Sequence, residues 1–332
     1  DWFGTSRPER IDHVIDKGRF AWTPVTVNNG NKSMFTNGYG MMRAPWNNNR
    51  ASYVTRSNTS YGFEITDMPG CASHHNVLQY TNFSDFGFHI MYNPHGTTHL
   101  AIGGVWNADW RQRLLDMNYN MVLAPSWTLL GFAKQKNMYR AGYTTCPEYC
   151  SLDTPPHKCV CSCPASITGD VDSEEGAKMV MGHAGLLSFA HRWGYTDPSQ
   201  YNSSYVNILK MLCHIGHPGE MFTSAAPQDP TFWPLHGNAE RFMTLARLLA
   251  AQGRKTLDET WGYRHTQTLM SDTHMECDWS NATGLHMPQC TRGQSCSGHR
   301  ADDLLPFMGL WPAQTRRVSN QEMYDFTSPQ NT

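Results

Sequence analysis

Residues 94–104 read "PHGTTHLAIGG": two histidines four positions apart, then a glycine pair. On an α-helix, positions i and i+4 sit one turn apart on the same face. His95 and His99 can therefore offer two imidazoles to one ion from a single rigid element. A zinc peptidase needs a glutamate beside the first histidine as general base, and Gly96 stands there instead. Taken alone, the pair is either structural or the metal-binding element of some other chemistry. Gly103 and Gly104 are expected to end its helix.

The wider chain narrows the class. Its 332 residues suit one large domain or two ordinary ones. The 26 basic and 28 acidic residues nearly balance, and no Lys/Arg-rich run occurs, which argues against nucleic acid as a partner. No apolar stretch approaches the roughly 18 residues of a membrane span. Asp1 opens the chain without Met or signal peptide, as expected of a processed or truncated product. Ten cysteines and five Asn-x-Ser/Thr sequons, at Asn31, Asn58, Asn82, Asn202 and Asn281, point to a secreted or luminal glycoprotein.

Five cysteines crowd together at Cys146, Cys150, Cys159, Cys161 and Cys163. Their spacings fit none of the usual zinc patterns, so disulfides are preferred over a zinc site with His157. With five in the cluster, at least one must pair elsewhere, and Cys213 is a candidate. Along the chain, residues 1–70 read as loop with a few short strands. Helices are expected from Ser73 onward through the opening motif, and over 107–123, 173–194, 198–216 and 238–253. In the last of these, Phe242, Leu245, Leu248 and Leu249 are expected to share the buried face, with Gly253 as the stop. Met179, Met181 and Met211 read as core. The class is mainly α with long irregular connections.

A second stretch, "GEMFTSAAPQDPTFWPLHGNAERF" at 219–242, carries Asp229-Pro230-x-Phe232, then His236 and the pair Glu240-Arg241. It resembles the second-copper motif of the tyrosinase family of type-3 copper proteins, and the opening stretch resembles the His-x-x-x-His…Gly-Gly part of the same motif. "GRFAWTPV", "MMRAPWNNNRAS" and "ADDLLPF" resemble flanking segments of that family. The resemblance implies a tyrosinase-like copper-binding helical core with ligands His95, His99 and His236. It makes Glu240 an acceptor for a ligand imidazole, Phe232 an apolar wall beside the metal, and Asp229 part of the supporting motif. Three neutral imidazoles suit copper. The implied organisation is a core part at 1–104, a cysteine-rich helical insertion at 105–218, and a closing core part at 219–332.

The chain departs from the family in three places. Leu235 precedes His236 where the family has a second histidine. About 115 residues separate Gly104 from Gly219. The first-copper half, with its Trp-His-Arg helix, has no counterpart. A substitute from His183 and His191 is set aside in favour of an ordinary packed helix. His214 and His217 are set aside as ligands because Pro218 ends any helix there; His74, His75 and His89 lie just upstream of the pair.

The activity implied is oxidation of small phenols and o-diphenols by dioxygen, with the first copper carried by a separate N-terminal chain or segment. The alternatives are a secreted structural or assembly glycoprotein reusing the fold, and a dioxygen carrier. In the family, the residue after the first of these histidines is often Asn in enzymes that hydroxylate monophenols. Gly96 stands here, which implies a preference for o-diphenols.

Overall fold

The computed structural model describes residues 2–25, 49–66, 68–119, 121, 128, 131, 137–139, 141–147, 150, 153–164, 172–187, 205–261, 300–305 and 308–330. Asn31, Asn202, Asn281, His191 and most of "MMRAPWNNNRAS" lie outside these residues. The chain forms two compact units. One is built chiefly from Asp1–Met68 and Thr98–Phe232, the other from Pro69–Thr97, Trp233–Thr268 and Cys277–Thr332. The stretch 105–218 falls wholly within the first unit. The secondary structure is mainly helical with one small sheet.

The first unit holds that sheet. Strands β1 (Thr59–Ser60), β2 (Phe63–Glu64), β3 (Val105–Trp106) and β4 (His217–Pro218) lie in the order β2-β1-β3-β4. β1 runs antiparallel to β2 and parallel to β3, and β3 runs antiparallel to β4 with Trp106 opposite His217. Buried Tyr61 stacks on buried Trp110 at 3.6 Å, and Phe222 meets Tyr61 edge-on at 6.0 Å. Each such fully buried side chain contributes about 1.5–3 kcal/mol.

Trp110 opens helix α4 (Trp110–Asp116), whose first turn is capped by Asp109 accepting from the Gln112 N–H. Two further helices, Glu174–His183 and Tyr205–Leu212, bring Ala177, Val180, Met181, Ile208, Leu209 and Leu212 into the same core. Met181 and Met211 are buried as the pattern requires, but Met179 is exposed. It lies two residues from Met181, on another face of the same helix.

The cysteine cluster is a disulfide framework: Cys146–Cys161, Cys150–Cys159 and Cys163–Cys213. Cys213 is thus the outside partner that the odd cysteine count requires. Such bridges are compatible with a secreted or luminal protein. Among the described residues, no helix is long and apolar enough to cross a membrane.

The second unit contains α1 (Cys71–Val77), α2 (Phe83–Ile90) and most of a long helix at 232–251. The helix expected from Ser73 onward is broken at 78–82. Asn82 restarts it as an N-cap, its Oδ1 accepting from Asp85 N–H at 2.8 Å. Val77, Phe86, Ile90 and Ala246 form the core, joined by Ala239, Phe242 and Met243.

The long helix therefore buries the stripe 239, 242, 243 and 246, spaced i, i+3, i+4, i+7. Leu245 and Leu248 are exposed instead of sharing Phe242's face. The buried stripe runs through Ala239, Phe242, Met243 and Ala246, not through the leucines at 245 and 248. Near the end of the helix, the Arg247 guanidinium lies 4.1 Å over the Tyr324 ring and pairs with Glu259 at 2.7 Å, tying in the C-terminal helix Asn320–Phe326.

Candidate metal centre

The helix bearing the first two histidines is not continuous. After α2 the chain makes a wide π turn at Met91–Gly96 and then enters α3 (Thr97–Gly103). Pro94 is the cause. Its ring disfavours the helical conformation for the preceding residue, and Asn93 accordingly sits at φ −146°, ψ 108°. Only Asn93 leaves helical geometry, so His95 and His99 keep their one-turn spacing. The kink also turns the Met91 carbonyl toward His95, whose Nδ1 lies 3.1 Å from it. A carbonyl only accepts, so His95 holds its proton on Nδ1 and presents Nε2 as a lone pair. A Cβ at position 96 would stand 3.0 Å from that same carbonyl, so glycine there leaves the turn uncrowded.

His99 is set in the same way by a different element. Its Nδ1 donates to the Met221 carbonyl at 2.9 Å, leaving Nε2 free of the ring proton. Met221 belongs to the 3-10 turn Glu220–Phe222, seated against the glycine pair. A Cβ at Gly103 would collide with the Phe222 backbone N, and Gly104, at φ +64°, would collide with the Ser57 carbonyl. Glycine at both positions is required by close backbone approach and, at 104, by the left-handed conformation. Fully buried Glu220 fixes the turn from the other side, accepting from the Thr55 N–H at 2.7 Å and its hydroxyl at 2.9 Å.

His236 lies in the second turn of the long helix. The pattern at 238–253 predicted a later start; the helix begins at Phe232, because Pro234 in its first turn needs no intrahelical donor. The approach is anchored by Asp229, which accepts from the Thr231 N–H and hydroxyl and pairs with Arg56 at 2.6 Å. Asp229 thus supports the ligand helix as a buried ion-pair partner.

His236 Nε2 stands 2.9 Å from His95 Nε2. Since His95 carries its proton on Nδ1, His236 is the donor of this bond. His95, His99 and His236 each offer a ligand nitrogen, all within 4.8 Å of one another and partly buried. Nitrogens bound to one ion at about 2.0–2.1 Å lie roughly 3–3.5 Å apart. The His95–His236 pair is close to that separation. The three histidines thus form a group that can hold a metal ion, with neutral donors of the kind copper and zinc accept.

The other predicted residues have these places. The Phe232 ring stands edge-on 6.0 Å from the His99 ring. Glu240 is exposed and accepts from the Thr244 hydroxyl, while the acceptors for His95 and His99 are the Met91 and Met221 carbonyls. Residue-type reasoning is blind to backbone acceptors; only the proline after Asn93 hinted at the first of them. His183 bonds to the Tyr143 hydroxyl, and His217 is buried in a bond to the Cys159 carbonyl. His74 bonds to Asn238, and His89 stacks on Tyr80. Asn58 is exposed in a bend, whereas the Asn82 amide is engaged in its cap.

Burial lowers the pKa of His95, with the Met91 hydrogen bond opposing. Burial and then the neighbouring His95 lower that of His236 from 6.5 to about 4. Both imidazoles are neutral at pH 7. A base with a depressed folded pKa binds fewer protons folded than unfolded, so its contribution is complete above the unfolded value and is lost as pH falls. Metal-free protein is therefore expected to lose stability between about pH 6.5 and pH 4. Urea midpoints across that range should drop more for the wild type than for His236→Gln; equal drops would refute the assignment.

No protein-family model, no curated protein and no solved structure matches this chain.

Proposed function

We propose that this chain carries the second-copper site of a secreted, tyrosinase-like copper oxidoreductase that oxidises phenols and o-diphenols with dioxygen. The observation that carries this reading is the three-histidine group at His95, His99 and His236. Its support is the motif text around those residues, Gly103-Gly104 and Asp229-Pro230-x-Phe232. Bound copper would supply dioxygen binding and electron acceptance, together with a first copper site on a separate N-terminal segment or chain.

The chain's own residues do the rest. Met91 and Met221 hold protons on the far nitrogens of His95 and His99, so that both Nε2 atoms face the ion. His236 gives up its Nε2 proton when an ion is bound. Phe232, edge-on to His99, would give that side of the ion an apolar neighbour. Gly96 has no side chain to orient a water that could take a phenol proton. A phenol has a pKa of about 10 and is protonated at neutral pH, so a substrate needing no such help is preferred.

Copper analysis of purified protein, with initial rates on a catechol and its matching monophenol, tests both parts. Bound copper and a faster catechol rate are expected. A monophenol rate equal to the catechol rate, without a lag, would remove Gly96 from the argument. Folded, copper-free protein that stays copper-free after loading would favour the alternative of a structural glycoprotein reusing the fold. Reversible oxygen binding without quinone formation would favour a carrier.

A further inference from the structure

The cysteine-rich segment takes no part in the reading above, yet its geometry leads to the metal centre. Cys159, which closes the short 3-10 turn Pro156–Lys158, is followed by Cys161 and Cys163 at alternate positions. Opposite them run Cys213, Ile215 and His217, again at every second residue. Three rungs join the two segments in antiparallel order. Cys163 and Cys213 are bridged covalently. Cys161 and Ile215 are both fully buried and pack together. His217 Nε2 donates to the Cys159 carbonyl at 2.8 Å. The paired residue numbers fall by two on one side as they rise by two on the other, so the contacts form one ladder.

The last rung is the one that reaches the site. His217 is 3 % exposed, and its Nδ1 accepts from Asn107 Nδ2 at 2.8 Å, so both ring nitrogens are committed and the neutral tautomer is fixed. His217 opens β4, which pairs with β3 through Trp106. Two residues on, Gly219 donates from its backbone N–H to the Gly104 carbonyl at 3.1 Å. The chain then turns through Glu220–Phe222 and delivers the Met221 carbonyl to His99 Nδ1. Three residues separate His217, with its buried imidazole, from Met221, whose carbonyl orients His99.

We infer that the Cys159–Cys163 segment is a covalently anchored brace for the metal centre, with His217 the positioning residue that fixes the Met221 carbonyl and, through it, the ring of His99. This rests on the metal reading for its consequence in binding, but not for the orientation of His99 itself. A surface insertion with no such role would meet the core through loop contacts, not through a ladder ending in a doubly bonded, buried histidine.

Two readouts test the brace: cobalt(II) titration followed by absorbance, and nitrogen-15 NMR of the His99 imidazole in metal-free protein. His217→Leu removes both hydrogen bonds. Cys163→Ser/Cys213→Ser removes the covalent rung. His217→Gln retains one donor and one acceptor. Loss of support behind a ligand typically costs about 10–100-fold in affinity. The expected result is a cobalt affinity about tenfold weaker in His217→Leu and in the double serine variant, with His99 losing its pure Nδ1–H tautomer. His217→Gln should stay within about threefold of wild type and keep the tautomer.

Retention of both the tautomer and the affinity, within twofold, in the double serine variant would overturn the brace. If His217→Leu does not fold, Asn107→Ser, which releases only the Nδ1 bond, takes its place. Wild-type protein that binds no cobalt would refute the metal reading; the His99 tautomer across the same variants would then decide the brace alone.

Discussion

Replacing His236 by alanine is expected to weaken the binding of a single metal ion by more than about 100-fold, beyond the range seen for groups that merely support a ligand. The reason is geometric. His236 Nε2 and His95 Nε2, 2.9 Å apart, are close to the separation of two nitrogens on one ion, and His99 completes the three-histidine group. Without His236 the remaining two imidazoles come from one helix turn, and the ion must complete its coordination with water. His89→Ala and His183→Ala are the controls, since those rings are held by Tyr80 and Tyr143 respectively. Metal content after dialysis and calorimetric titration measure the effect. An unchanged affinity in His236→Ala, or an equal loss in a control, would place the metal elsewhere.

The second large effect concerns Asp229. Its carboxylate is wholly buried against Arg56, whose side chain is 13 % exposed and also donates to the carbonyls of Phe3 and Gly4. Breaking a buried pair from one side leaves an uncompensated charge and costs about 3–5 kcal/mol. Asp229→Ala is therefore expected to be destabilised by about that amount in urea unfolding, with Asp229→Asn intermediate because the amide still accepts from Thr231. Arg56→Met/Asp229→Leu should be less destabilised than Asp229→Ala alone, because neither charge then remains. A double variant at least as unstable as the single would show that Asp229 acts chiefly through its bonds to Thr231.

These two residues also mark the division between what was legible and what was not. The three-histidine group was legible because it depends on side-chain identity: an interval of four between His95 and His99, and the residues that lead up to His236. The mainly helical class and the need of one clustered cysteine for a partner elsewhere were legible too, the first from periodicity and the second from parity; that the partner is Cys213 was decided by the tertiary structure. The kink at Asn93 was announced by Pro94, a local steric effect that needs no tertiary context.

The support of the site was not legible in that way. The acceptors for His95 and His99 are backbone carbonyls, which every residue possesses, so no residue type at 91 or 221 signals them. Glu240 has the chemistry of an acceptor, but helix geometry turns it to solvent. The buried face of the long helix was not legible from its leucines, since alanines at 239 and 246 share that face with Phe242 and Met243. Arg56 and Asp229 are 173 positions apart, and the ladder of Cys159–Cys163 against Cys213–His217 joins segments that local spacing cannot pair. The amino-acid sequence by itself determined which side chains make up the group that can hold a metal ion. Only the tertiary structure decided which atoms hold those side chains in place, because that depends on backbone groups and on contacts across large intervals of chain.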